Sequence, residues 1–284
     1  MAVEQQLPKI KLVRIAHVYY THSDLNQARL FLLDFGFQVA EDRGDSIYFK
    51  GYGTEPFVYC ATKGESNTFG GAGFVVESLA DLEVASKTLP KATPIEDSDA
   101  PGGGKRVTFR DPVDNFPFHL VYGQTPVERS VHLPELDYNF PEAKHRAVNK
   151  TQRFKKGPAP VHKLGHFGCC VTDFAKAFEF YTTRFNLKPS DLIHDEKGRD
   201  VTTFLHLDRG MEQVDHHTFF FFEGRYRDNV AIKGTTTHMC LMQVQNTMCT
   251  TPVSRCTTLT SRRWGTSGCA RKDTTLSGES GDMS

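Results

Sequence analysis

The chain has 284 residues, with 34 Lys plus Arg against 34 Asp plus Glu and no formal net charge at pH 7. That length accommodates two cores, and the balanced charge excludes a global field drawing the chain to nucleic acid or a membrane surface. No run approaches the ~18 apolar residues of a membrane span and residues 1–11 carry no secretory pattern, so the expectation is a soluble, cytoplasmic protein acting on a small molecule, with no nucleic-acid or membrane partner.

Residues 11–20 are apolar and β-rich, and Asp24 then opens a helical pattern with Leu25, Ala28, Leu32 and Phe35 on one face, closed by Gly36. Short strands are expected at 37–40, 47–50 and 57–61, between glycine and charged turns. A second round follows: strand 73–77, helix 79–89, strands 107–110 and 116–122. Two such βαβββ rounds make one complete domain, 1–122.

Residues 123–160 contain Pro126, Pro134, Pro141, Pro158 and Pro160 without hydrophobic period, which reads as a linker. The periodic pattern then resumes over 161–225: strand 163–172, helix from Asp173 to about Phe185, strands 187–194, 202–207 and 218–222. Residues 226–284 are rich in threonine, serine and arginine, hold few aliphatic residues and have no period, so this stretch is expected to be aberrant and disordered. Of the seven cysteines only Cys60, Cys169 and Cys170 precede residue 240, and the adjacent pair lies in an apolar strand, where a free thiol behaves as a small hydrophobe. Reduced thiols fit better than a disulfide framework.

The two halves repeat each other. His17, Asp24, Ala28 and Phe31 recur with identical spacing as His166, Asp173, Ala177 and Phe180, at an offset close to one domain length. The second copy adds Leu164-Gly165-His166, the run Phe204-Leu205-His206-Leu207-Asp208-Arg209-Gly210, and Asp215-His216-His217-Thr218 leading into four phenylalanines.

On these pieces the chain, over roughly residues 10–222, resembles the vicinal oxygen chelate superfamily of glyoxalases, bleomycin resistance proteins and dioxygenases. Within it the best match is the two-domain extradiol dioxygenases of the catechol 2,3-dioxygenase type. The resemblance implies an α+β fold of tandem βαβββ modules forming two curled sheets, the second incomplete. It also implies a degenerate N-terminal domain and a C-terminal one that holds Fe(II) through two histidines and a carboxylate, with positions open for an aromatic diol and O₂. By that resemblance His166 is the first metal ligand, His217 the catalytic acid/base and His216 a substrate-binding neighbour, in an enzyme that commonly associates with itself. His17 and His119 are expected to be structural, because Phe118 stands where an active copy would have its glutamate. A glyoxalase-like metalloenzyme is the alternative, disfavoured by that same missing glutamate, and an inactive or truncated binding module is a further one.

The second histidine ligand and the glutamate implied by the family do not follow Phe222. When the last base of each codon is joined to the first two of the next, from Met248 onward, the degenerate code permits a histidine-led strand with acidic residues of the expected kind. A frameshift, a misplaced splice junction or a sequencing error between about Arg225 and Met248 is therefore expected.

Overall fold

The computed structural model describes residues 8–129, 141–142, 148–150, 158 and 160–224, with the backbone of 237–240. The first module consists of β1 (Leu12–His22), α1 (Leu25–Phe35), β2 (Gln38–Asp42), β3 (Ser46–Lys50), β4 (Tyr59–Lys63), β5 (Thr68–Val76), α2 (Leu79–Thr88), β6 (Glu96–Asp97), β7 (Lys105–Arg110) and β8 (Pro117–Tyr122). Its sheet has the order β2-β3-β4-β1-β5-β8-β7-β6, so the two rounds meet at the antiparallel β1–β5 pair. The second module consists of β9 (His166–Val171), α3 (Phe174–Arg184), β10 (Leu187–His194), β11 (Asp200–Leu207), β12 (Phe219–Glu223) and β13 (Thr237–Cys240), ordered β10-β11-β12-β9-β13.

The repeated aspartates have a local cause. Asp24 accepts from the backbone N–H of Gln27 at 2.9 Å, and Asp173 from that of Lys176 at 3.0 Å. Each is the N-cap that turns a buried strand into a helix. Gly36, at φ 115°, closes α1 in the left-handed conformation that glycine adopts without penalty.

His17 lies inside β1, whereas His166 opens β9. Two expectations change. β5 starts at Thr68, earlier than its sequence suggests, because Gly70, Gly71 and Gly73 weaken the strand signal. The sheet needs those glycines: a Cβ at Gly71 would overlap Nε2 of His119, and one at Gly73 would overlap Nε2 of His17. Finally, Thr237–Cys240, within the stretch expected to be disordered, pairs antiparallel with β9 as β13. The rest of 241–284 and most of the proline-rich segment lie outside the described residues.

One hydrophobic core runs through both modules. Phe118 of β8 packs against Phe167 of β9 and Phe219 of β12 with ring centroids 6.0 Å apart in each case, and Phe74 of β5 meets Phe219 at 6.4 Å. Burying a ring of this kind contributes about 1.5–3 kcal/mol. Asn186 adds a polar tie: its Oδ1 accepts from Leu12 N–H at 2.7 Å, and its Nδ2 donates to Leu12 O and Asp208 O, each at 3.0 Å. Cys60, Cys169 and Cys170 are free thiols. Among the described residues no helix is long and apolar enough to cross a membrane.

Candidate functional site

Sheet register shows why the first module's histidines are taken up by packing. His17 on β1 lies opposite Gly73 on β5, and Gly73 lies beside His119 on β8. The residue in the row of His17 is therefore His119. Phe118, expected in that place, faces the other side of the sheet, where it stacks on Phe109 at 5.5 Å and joins the shared core. His119 is held by Thr108 Oγ1 at 2.9 Å and Gly70 O at 3.0 Å, and burial pushes its pKa down to about 4. His17 is 1% exposed and stacks on Phe57 at 4.2 Å, and neither of its ring nitrogens has a hydrogen-bond partner among the described residues. Burial and the nearby His119 and Arg14 hold its pKa well below the ordinary value, so both imidazoles are neutral side chains without a carboxylate to complete a metal site.

The corresponding face of the second sheet is open and aromatic. His166, half-buried at the head of β9, lies 4.4 Å from His217, ring centroid to ring centroid, and 6.0 Å from Phe220. Phe220 lies over Gly168, where a Cβ would overlap its ring, so the absence of a side chain on β9 makes room for it. Phe204 of β11 stacks on Phe220 at 5.5 Å and meets His217 edge-on at 5.0 Å. These two phenylalanines also wall an open cleft of about 300 Å³ that continues past Thr202 and Phe222 to the Arg199–Glu223 ion pair.

The structure brings the three sequence-predicted residues together. His216 Nδ1 is 3.1 Å from His217 Nδ1, and His216 Nε2 is 3.2 Å from Asp191 Oδ2. Burial, then the neighbouring His217, lowers the pKa of His166 to about 4. Burial, then His216, lowers that of His217. Both imidazoles thus carry a free lone pair at neutral pH. Sequence reasoning missed Asp191 and Ser190 on β10, which no motif or spacing marks. Among the described residues no group of three or more His, Cys, Asp or Glu is placed to hold a metal. In the backbone register of β13, Cys240 stands opposite His166 and His238 opposite Gly168.

Two βαβββ-type modules, the second carrying an imidazole pair on one face, give the α+β fold of curled sheets that the sequence led one to expect. No family profile matches the chain. It is similar to the biphenyl-2,3-diol 1,2-dioxygenase of Paraburkholderia xenovorans (strain LB400), 30% identical over 165 residues, which are 55% of this chain and 48% of that protein. The protein of the same name from Metapseudomonas furukawaii is likewise 30% identical over 165 residues, 55% and 47% of the two chains. In fold it is similar to homoprotocatechuate 2,3-dioxygenase from Brevibacterium fuscum in complex with 3,4-dihydroxyphenylacetate: TM-score 0.61, 17% identity, covering 77% of this chain and 62% of that one. A room-temperature structure of an extradiol ring-cleaving dioxygenase from the same organism gives a TM-score of 0.59 at 16% identity, over 77% and 55%. The chain spans about half the length of the curated relatives it matches.

Proposed function

We propose that the open face of the second sheet descends from the ring-cleavage site of an extradiol dioxygenase, acting on a catechol-type aromatic diol with O₂. The observation that carries this reading is the His166–His217 pair, 4.4 Å apart and walled by Phe204 and Phe220, in a chain whose relatives are named as diol dioxygenases. His166, neutral at pH 7 because burial suppresses its protonation, offers the lone pair a metal requires. His217, also neutral, can take a proton from a bound hydroxyl. The phenylalanines give an aromatic ring a face to stack on.

Fe(II) in such a site needs two histidines and a carboxylate on one face. The described residues supply only His166, so they do not fit the metal as they stand. The remaining donors would come from sequence beyond Gly224 read in a restored frame, the shift being placed between about Arg225 and Met248. Sequencing the coding DNA tests that point directly: it fails if no single-base change restores the histidine-led strand. In a frame-restored protein supplied with Fe(II), catechol is expected to yield a yellow ring-opened semialdehyde, and His166→Ala to abolish the colour. Retained turnover in His166→Ala refutes the ligand assignment. The incomplete donor set favours a second reading for the chain as written, a module that binds aromatic diols without cleaving them. Titration of the metal-free chain with catechol separates binding from no interaction.

A further inference from the structure

The segment from Asp208 to His217 delivers the candidate acid/base, yet little apolar packing fixes it. Residues 211–216 are exposed, and an open cleft of about 350 Å³ lies between the 212–215 stretch and Val13, Arg14 and Ile15 of β1. The position of the segment therefore depends on polar ties. Asp208 N–H donates to Asn186 O at 2.7 Å; at the far end Ser190 Oγ donates to His216 O at 2.5 Å and Thr218 N–H to Leu205 O at 2.8 Å. Between these ends Asp208-Arg209-Gly210 builds a turn. Asp208 Oδ1 accepts from Gly210 N–H at 3.2 Å, Gly210 lies at φ 66°, and Glu212 N–H donates to Arg209 O at 3.3 Å.

That turn carries the guanidinium of Arg209 to the other module. Its Nη1 donates to Glu77 Oε1 at 2.9 Å, while Nε and Nη2 donate to the two carboxylate oxygens of Glu212 at 3.2 and 3.1 Å. Glu77 belongs to the first module, at the junction of β5 and α2, and Lys11 Nζ lies 3.0 Å from its Oε2. An isolated surface ion pair would hold little. Here the Arg209 side chain is only 13% exposed, grips one carboxylate with both prongs of its fork, and joins Lys11, Glu77 and Glu212 in one network. We propose that Arg209 is a positioning residue that fastens the His217-bearing segment to Glu77, so that the first module, whose own histidines are taken up by packing, fixes where His217 stands. This rests on the reading of His217 as the acid/base of the site, and it gives the first module a part in that site.

The test reads position and needs neither metal nor turnover. In the full-length chain with ¹³C-labelled histidine, ring signals are assigned through His217→Gln and His119→Gln. Phe204 and Phe220, at 5.0 and 6.0 Å from the His217 ring, make its signals sensitive to where it stands. Glu77→Ala, a change in the first module, is expected to shift the His217 signals and to speed amide exchange at Gly210 and Glu212 about tenfold, while the His119 signals stay in place. Arg209→Met is expected to do the same, and the double variant to add nothing to it, as two ends of one clamp require. Unchanged His217 signals and exchange in Glu77→Ala overturn the proposal. So do signals of His119 that move as much as those of His217, which mean general loosening, or a double variant whose effect is the sum of the single ones. Should Arg209→Met not fold, the Glu77→Ala comparison decides by itself. If the clamp behaves as expected but frame-restored protein does not cleave catechol, the dioxygenase reading fails and the positioning role stands.

Discussion

His17 is sealed at 1% exposure with both ring nitrogens unpaired among the described residues, a costly arrangement for a polar group. His17→Leu, close in volume, is therefore expected to raise the unfolding free energy by about 1–2 kcal/mol in a urea titration. A loss of stability would show that the imidazole has a partner worth more than its desolvation. The same burial makes the fold acid-sensitive. The pKa of His119 falls from 6.5 to about 4, and His17 lies well below its ordinary value, so folding selects the neutral form. Stability from these groups is complete above the unfolded pKa near 6.5 and is lost as pH drops towards 4. A pH series of denaturation midpoints should decline across that window and decline less in His17→Leu. At this scale His166, His216 and His217 were legible because flanking motifs mark them. Asp191 was not, since a lone aspartate in a strand carries no pattern until a bulge turns it towards an imidazole.

Among the elements, strands and helices with clear period and caps were readable from sequence. α1 and α3 follow their capping aspartates, and the apolar run before Glu223 is the strand β12. The glycine-rich start of β5 was not readable, because its glycines are selected by rings on neighbouring strands that sequence does not place beside them. Gly168 on β9 follows the same logic. Gly168→Val is expected to push the Phe220 ring aside, since a Cβ would overlap it, and to cost about 1–3 kcal/mol as overpacking does. Calorimetry of the variant checks the magnitude. A neutral outcome would mean that Phe220 moves freely, and with it the wall of the cleft.

At the scale of the whole molecule the two modules share one core, with Phe118, Phe167 and Phe219 meeting across the seam and Asn186 tying β1 to the second module. Asn186→Leu removes bonds to both backbone groups of Leu12 and is expected to destabilise the protein by about 2–3 kcal/mol. Native-state hydrogen exchange should then show β1 and β9 amides losing protection together. Loss confined to one module would indicate two independent folding units, which a continuous core argues against.

By itself the sequence determined the duplication, the α+β character and most of the element boundaries, because period, caps and repeated spacing are local properties of the chain, while His166, His216 and His217 were singled out through the family resemblance. Only the tertiary structure decided that His119 rather than Phe118 shares the row of His17, that Gly168 makes room for Phe220, and that Asp191 reaches His216. Each of these depends on which strand lies beside which and in what register, and register is set by packing across the sheet rather than by neighbours along the chain.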